Sequence, residues 1–142
     1  MFAKKPPPEP NLPSLPPILR LGGSGQLEPI SQQTSHDRIA QAVITQAFGE
    51  RAEQITLTPD GEALVVHFFI AGEWKPTMTI PAQIAPGLGG AFKALAGLPV
   101  WEHRMALEGL TVVQYGATDY DVHMSITPTR HGEKIALRMA AA

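Results

Sequence analysis

A strict alternation of polar and apolar residues in the last third of the chain constrains its fold most strongly. Between Asp119 and Ile126 the sequence DYDVHMSI places an apolar side chain at every second position. Successive side chains of a strand point to opposite faces of a sheet, so this segment predicts a strand with one buried and one solvated face. Such strands are typical of antiparallel sheets.

Five further segments predict strands of the same sheet. The turn PDGE at 59–62 joins two of them, with Gly61 supplying a positive φ. Pro76 lies inside another strand and cannot donate to a ladder, which predicts an edge position or a bulge. The five segments span residues 53–58, 63–70, 74–80, 111–116 and 133–139.

Two segments with apolar residues at helical spacing predict helices. The first, 35–48, follows Thr34 and Asp37, which form a capping box with Asp in place of Glu, and Gly49 ends it. The second runs from Pro81 to Gly97, a typical residue to follow a helix. The order α-βββ-α-βββ predicts an α+β domain over 35–139, with a mostly antiparallel sheet of about six strands and two main helices.

Residues 1–34 differ from the rest of the chain in composition. Seven prolines lie between positions 6 and 17, and LGGSGQ at 21–26 is typical of a flexible linker. Proline has a fixed φ and no N–H, so we expect a disordered arm that serves as a tether. The PxxP string from Pro13 to Pro16 leaves an SH3-type ligand as the less favoured alternative.

Composition limits the classes of function. The 142 residues carry a net charge of -2 and no cysteine. A near-neutral chain has no electrostatic basis for binding nucleic acid, and without cysteine there is neither a disulfide nor a thiolate metal site. Because the sequence has no apolar run of about 20 residues, we expect no membrane span and a cytoplasmic location.

The residues offer no convincing catalytic constellation and no cofactor site. The glycine-rich stretches at 21–26 and 86–93 lack the Gly-Lys-Ser/Thr step of a phosphate-binding loop. Asp119, Asp121 and His123 share a strand face and could bind a divalent ion, but alternation alone produces that face, so we expect no metal. We therefore expect a protein that is not an enzyme.

A motif near the end of the chain carries a family resemblance. Residues 124–138, MSITPTRHGEKIALR, resemble the pattern S-T-L-P-T-x-x-G-E-K-V-V-L-R-L of the hexameric ATPases of type II secretion and type IV pilus assembly. In that family the pattern ends the domain that precedes the motor. The matching residues are Ser125, Pro128, Thr129, Gly132, Glu133, Lys134, Leu137 and Arg138.

Three earlier segments resemble the same family in the right order. They are RAEQITLTP at 51–59, VHFFIAGEW at 66–74, and FKALAGLPVWEHR at 92–104, the last with Lys93 and Gly97 in place. The resemblance covers roughly residues 36–138. It implies the PAS-like fold of the pre-motor domain, without the Walker-containing motor.

The departures from the family pattern concern charge. The resemblance implies that arginines of this domain approach nucleotide held by the motor, but here Phe69 and His123 stand at two of those positions. A neutral side chain cannot offset phosphate charge. Arg104 and Arg138 are the remaining nucleotide-facing candidates.

The resemblance implies a non-catalytic accessory or regulatory protein. It would dock with a secretion or pilus assembly ATPase, or with the inner-membrane platform protein, and so lie at the inner membrane through its partners. A homo-oligomer is also compatible with it. The candidates for partner docking are Trp74, Trp101, Arg130 and Glu133.

Two alternatives stay open. The chain could be the excised regulatory domain of an intact secretion ATPase, although Met1 and the lost arginines favour a free-standing copy. It could also be a PAS-like sensor of a small ligand. A deep apolar pocket left unfilled by Phe68, Phe92 or Trp101 would favour the sensor.

Overall fold

The computed structural model describes residues 19–21, 27–29 and 34–142. It confirms the α+β class and the predicted order of elements. The strands and helices are β1 Leu19–Leu21, β2 Leu27–Pro29, α1 Ser35–Gly49, β3 Gln54–Pro59, β4 Ala63–Ile70, β5 Glu73–Pro81, α2 Ala85–Leu95, β6 Leu107–Tyr115, β7 Thr118–Thr129 and β8 Gly132–Ala141. A short 3-10 helix, Ala82–Ile84, precedes α2.

All neighbouring strands of the sheet pair antiparallel, in the order β2-β1-β6-β7-β8-β3-β4-β5. The six predicted strands are present. The structure differs from the prediction in β1 and β2, two three-residue strands inside the segment assigned to the arm. Apart from Thr34, the remainder of that segment, including Pro13–Pro16, lies outside the described residues.

One face of the sheet and the two helices form a single core. Leu137 of β8 pairs with Met124 on one side and with Ile55 on the other, and all three side chains are fully buried. Phe92 of α2 and Val43 of α1 belong to the same cluster. The alternation predicted for 119–126 is confirmed, because the intervening residues face away from the helices.

The start of α1 confirms the predicted capping box. Thr34 Oγ1 accepts the N–H of Asp37 at 3.0 Å, and Asp37 Oδ2 accepts the N–H of Thr34 at 3.4 Å. The end differs from the prediction, since α1 includes Gly49 and the left-handed residue is Arg51, with a φ of 59°. The N–H of Ala52 donates back to the carbonyl of Ala47 at 2.8 Å.

The end of α2 sets the direction of the chain that follows. Gly97 adopts a φ of 69°, which confirms its predicted role. Its N–H donates to Ala94 O at 3.2 Å, and the N–H of Leu98 donates to Lys93 O at 2.8 Å. These two bonds are those of a Schellman motif, which turns the chain sharply out of the helix.

Pro76 lies where its chemistry predicts. It is part of β5, an edge strand among the described residues, and the ladder with β4 shifts register between Val66 and His67, opposite Pro76. Both the edge position and the irregularity are confirmed.

Candidate functional site

A fully buried lysine lies where α2 meets β8. The side chain of Lys93 has an exposed fraction of 0%. Its Nζ donates to Glu133 Oε1 at 2.9 Å and to the carbonyl of Glu102, and it lies 3.2 Å from His103 Nδ1. An ammonium group has three donors, and these two oxygens accept two of them.

Glu133 completes an ion pair that is almost closed to water. Its side chain is 15% exposed, and its Oε1 lies within 3.2 Å of His103 Nδ1 as well as 2.9 Å from Lys93. The second oxygen, Oε2, is buried and has no hydrogen-bond partner among the described residues. Since a buried pair must offset the loss of hydration of both charges, its geometry is under strong constraint.

The same lysine holds the loop between α2 and β6, residues 96–106, which we call the Trp101 loop. Lys93 fixes it from inside through the carbonyl of Glu102. The carboxylate of Glu102 fixes it again, because its Oε1 accepts the N–H of Arg104 at 2.8 Å and of Met105 at 3.0 Å. These N–H donors, that of Arg104 first, hold the pKa of Glu102 below its ordinary value.

The Trp101 loop presents large apolar side chains to solvent. Trp101 is 76% exposed, Met105 65% and Val100 45%. Leu98 packs inward, where a Cβ added to Gly109 would lie 3.1 Å from its Cδ2. The loop therefore combines a fixed backbone with an exposed apolar surface, a combination that is typical of interaction sites.

The two nucleotide-facing candidates lie on different elements. Arg104 is exposed in the Trp101 loop, beside the apolar residues. Arg138 is exposed on β8, on the sheet face away from the helices, paired in register with His123 and Gln54.

The four docking candidates also lie on different elements of the fold. Trp74 lies on edge strand β5, 46% exposed, with its ring centroid 5.1 Å from that of Phe69. Arg130 is exposed in the turn between β7 and β8. Glu133, by contrast, lies inward and pairs with Lys93. Sequence reasoning selected Glu133 as a docking candidate but did not select Lys93 as a site residue. The available signal was that Lys93 is the only charged residue in α2.

The structure also bears on the ligand-sensor, metal-site and membrane-span questions raised by the sequence. Phe68 and Phe92 are both fully buried and fill the core between sheet and helices. Within residues 34–142 no group of three or more His, Cys, Asp or Glu side chains is arranged to hold a metal ion. Asp119 instead accepts a hydrogen bond from Gln114 at 3.2 Å. None of the described helices has the length and apolar character needed to span a bilayer.

Comparison with known proteins confirms the family resemblance found in the sequence. Residues 30–142 match the family model described as type II/IV secretion system protein. The chain is 28% identical over 107 residues to the type IV pilus assembly ATPase PilB of Thermus thermophilus, which covers 75% of this chain and 12% of that protein.

Type II secretion system protein E is similar as well. The protein from Pseudomonas aeruginosa and that from Dickeya dadantii are each 28% identical over 102 residues, covering 72% of this chain and 20% of theirs. This chain therefore spans about a fifth or less of the length of these relatives. The matched segment includes both strands of the β7–β8 hairpin and the whole Trp101 loop, and the chain belongs to the type II/IV secretion system protein family.

Proposed function

We propose that this domain is a non-catalytic docking element of a type II secretion or type IV pilus assembly machine. It binds the assembly ATPase, or the platform protein at the cytoplasmic side of the inner membrane, through the Trp101 loop. The observation that carries the proposal is the exposure of Trp101, Met105 and Val100 on a loop fixed from inside by Lys93.

The energetics of interfaces support this choice of surface. Tryptophan is enriched among the few residues that dominate binding energy, and truncating one typically costs about 2 kcal/mol or more. A loop already fixed in the free protein loses little conformational entropy on binding, which favours affinity. Glu102 and Lys93 supply that order before any partner arrives.

The non-catalytic part of the proposal rests on the residues present. The 142 residues contain no Gly-Lys-Ser/Thr step, on which a phosphate-binding loop depends. PilB, which is named an ATPase, and the type II secretion system protein E are several times longer, and the similarity covers 12% of the first and 20% of the second.

Binding measurements test the proposal directly. The full chain is immobilised and titrated with the purified assembly ATPase, and separately with the cytoplasmic part of the platform protein, by biolayer interferometry. We expect micromolar binding to one of them, weakened about 30-fold by Trp101→Ser. Trp74→Ser is the matched control, because Trp74 is half-exposed on edge strand β5, away from the Trp101 loop.

Three results would contradict the proposal. One is the absence of binding to either protein at micromolar concentration. Another is equal loss of affinity in the Trp101 and Trp74 variants, which would remove the assignment to this loop. Measurable ATP turnover by the purified chain would overturn its non-catalytic role.

The exposure of Arg104 in the same loop favours a second candidate function. In this alternative the domain is the regulatory part of an intact secretion ATPase, and Arg104 approaches nucleotide held by the motor. Arg104→Ala would then lower the ATP turnover of the assembled ATPase without weakening the docking measured above. Loss of docking with unchanged turnover would favour the first candidate.

A further inference from the structure

The sheet has a second face, which both described helices leave uncovered. Helices α1 and α2 pack on the side of Phe68, Met124 and Leu137. The alternate residues of the same strands point to the other side, which we call the open face, and they are half-buried or exposed. One solvated face is ordinary for an antiparallel sheet, so only apolar residues on the open face indicate a contact surface.

An aromatic pair lies at one end of the open face. Trp74 of β5 is paired with Phe69 of β4, and their ring centroids are 5.1 Å apart. Trp74 is 46% exposed and Phe69 is half-buried. The next pair of the two strands on this face is Pro76 and His67. Neighbouring rings that stay accessible to solvent are typical of a contact surface.

The strand register extends from this pair across the sheet as one row. After Phe69 the row continues, one strand at a time, through Gln54, Arg138, His123 and Leu110. Leu110, at the β6 end, is 66% exposed. The guanidinium of Arg138 forms no ion pair with another described residue. The row therefore has apolar side chains at both ends and hydrogen-bond donors between them.

The charges of the open face are mixed in sign. Carboxylates, cations and imidazoles lie on its neighbouring strands, namely Glu108, Asp119, Asp121, Lys134, Arg138, His67 and His123. Such a mixture favours neither a strongly acidic nor a strongly basic occupant. It favours an occupant of low charge that contacts rings and accepts hydrogen bonds.

Residues 6–17, which lie outside the described part of the chain, have the matching chemistry. They contain seven prolines and one charged residue, Glu9. Because proline has no N–H, a proline-rich backbone has more carbonyl acceptors than donors. Proline-rich segments bind to surfaces lined with aromatic rings in the extended polyproline II form. The middle of the row supplies donors for the carbonyls, and the Trp74–Phe69 pair supplies the rings.

The length of this segment and its point of attachment allow it to reach the aromatic pair. It leads into β1 at Leu19, and β6, β7, β8, β3 and β4 separate β1 from β5. The corresponding strand spacings amount to about 29 Å. At about 3.1 Å per residue in polyproline II, the stretch from Pro6 to Leu19 spans about 40 Å. It can therefore cross the open face and place Pro8 and Pro10 near Trp74.

We propose that residues 6–17 lie across the open face, with prolines against the rings of Trp74 and Phe69. The proline-rich segment then has a fixed place on the domain, instead of being the free tether that composition alone suggests. The inference does not depend on the docking role of the Trp101 loop, because that loop contributes no residue to the row.

A single spin label tests where the segment lies. The chain has no cysteine, so Asn11→Cys provides one attachment point for a nitroxide without removing a proline. The ¹⁵N-labelled full chain is followed by NMR, and the relaxation caused by the nitroxide is measured at both tryptophan indoles and along β5 and β6. We expect it to be several-fold stronger at Trp74 than at Trp101, and stronger in β5 than in β6. A segment without a place on the sheet would give the opposite order in the strands, because it is attached beside β6.

Removal of the indole tests the contact itself. In the labelled chain, Trp74→Ala is expected to abolish the excess relaxation along β5. Trp101→Ala is the matched control, since Trp101 is exposed in its own loop, and it should leave the excess unchanged. Trp74 is half-exposed on an edge strand, so the fold should survive its removal, and the amide shifts of α1 and α2 verify this.

Contrary results are equally definite. Relaxation that is strongest in β6 would show that the segment does not reach the aromatic pair, and relaxation that persists in Trp74→Ala would remove the contact with the ring. A mixture of ¹⁵N-labelled chain without nitroxide and unlabelled chain with nitroxide identifies a second copy. Relaxation of Trp74 in that mixture would overturn the assignment to the same chain. None of these measurements involves the assembly ATPase or the platform protein, so their failure is distinct from failure of the proposed docking function.

Discussion

The ammonium group of Lys93 lies 2.9 Å from Glu133 Oε1, although 40 positions separate the two residues in the chain. Lys93 lies in the segment FKALAGLPVWEHR and Glu133 in MSITPTRHGEKIALR, two of the segments that carry the family resemblance. The ion pair therefore brings into contact two segments that the family resemblance relates only by their order in the sequence. It also ties the Trp101 loop to the sheet.

Removal of one partner from this pair is expected to destabilise the domain strongly. Lys93→Met removes the ammonium from the largely buried carboxylate of Glu133 and leaves only the imidazole of His103 beside it. Breaking a buried ion pair in this way costs about 3–5 kcal/mol. Urea denaturation followed by circular dichroism measures the loss. Because Lys93 also holds the carbonyl of Glu102, the amides of the Trp101 loop should exchange faster in this variant.

The double variant Lys93→Met/Glu133→Leu is the control. Replacing a buried ion pair by apolar residues of similar size is often neutral or stabilising, so we expect it to recover most of the lost free energy of unfolding. A double variant as unstable as the sum of its single changes would show that the pair does not act as a unit.

Any side chain at Gly97 is expected to destabilise the domain. Its φ of 69° lies in the left-handed region, where a residue with a Cβ costs about 1–2 kcal/mol. Gly97→Ala should lower the free energy of unfolding by that amount, as measured by chemical denaturation. Gly49→Ala is the matched control with opposite sign, since Gly49 is helical and has open space around it.

Arg51 offers the reverse test. It occupies the corresponding left-handed position after α1 with a φ of 59°, so Arg51→Gly should stabilise the domain by about 1 kcal/mol. Thermal unfolding of the variant checks this. Glu50→Gly is the control, because Glu50 has a φ of -93° and gains nothing from glycine there. An equal rise in Tm for both variants would contradict the conformational argument.

The Trp101 loop should loosen in acid. The N–H of Arg104 lowers the pKa of Glu102 from 4.5, so the carboxylate stabilises the folded loop fully above that ordinary value. This contribution is lost as pH falls through the lowered folded pKa. Amide exchange of Arg104 and Met105 should therefore stay constant from neutral pH down to about 5 and accelerate at lower pH, relative to the intrinsic rate.

Glu102→Gln isolates that effect. Its amide oxygen can still accept both N–H groups but cannot titrate, so the acid-dependent step should disappear from the Trp101 loop. An acid-dependent step in amide exchange is also expected in the β3–β4 turn, because the N–H groups of Ala63 and Glu62 lower the pKa of Asp60. That step should remain in the Glu102→Gln variant. A step that persists unchanged at Arg104 would assign it to another group.

The sequence predicted the six long strands and two helices because each has a local signal. Alternation identified 119–126, and the capping box identified the start of α1. Gly49 was predicted to end α1, yet the helix includes Gly49 and Arg51 adopts the left-handed conformation after it. The local preference of glycine for helix ends did not decide where α1 stops.

The candidate site was less accessible to sequence reasoning. Glu133 was selected as a surface residue, and its burial depends on Lys93, which no pattern places beside it. A single charge in an apolar, glycine-rich helix does indicate a buried group that needs a partner, but it does not identify the partner. The strands β1 and β2 have three residues each, too short for a period to be read.

Pro76 and the register shift beside it have a consequence for the outer margin of the sheet. A regular margin offers a row of donors and acceptors onto which a further chain can add, and this is a common start of fibrous aggregation. Pro76 interrupts that row because it has no N–H, and the shift opposite it bends the strand. At high concentration, copies of this domain are thereby hindered from pairing with one another along β5.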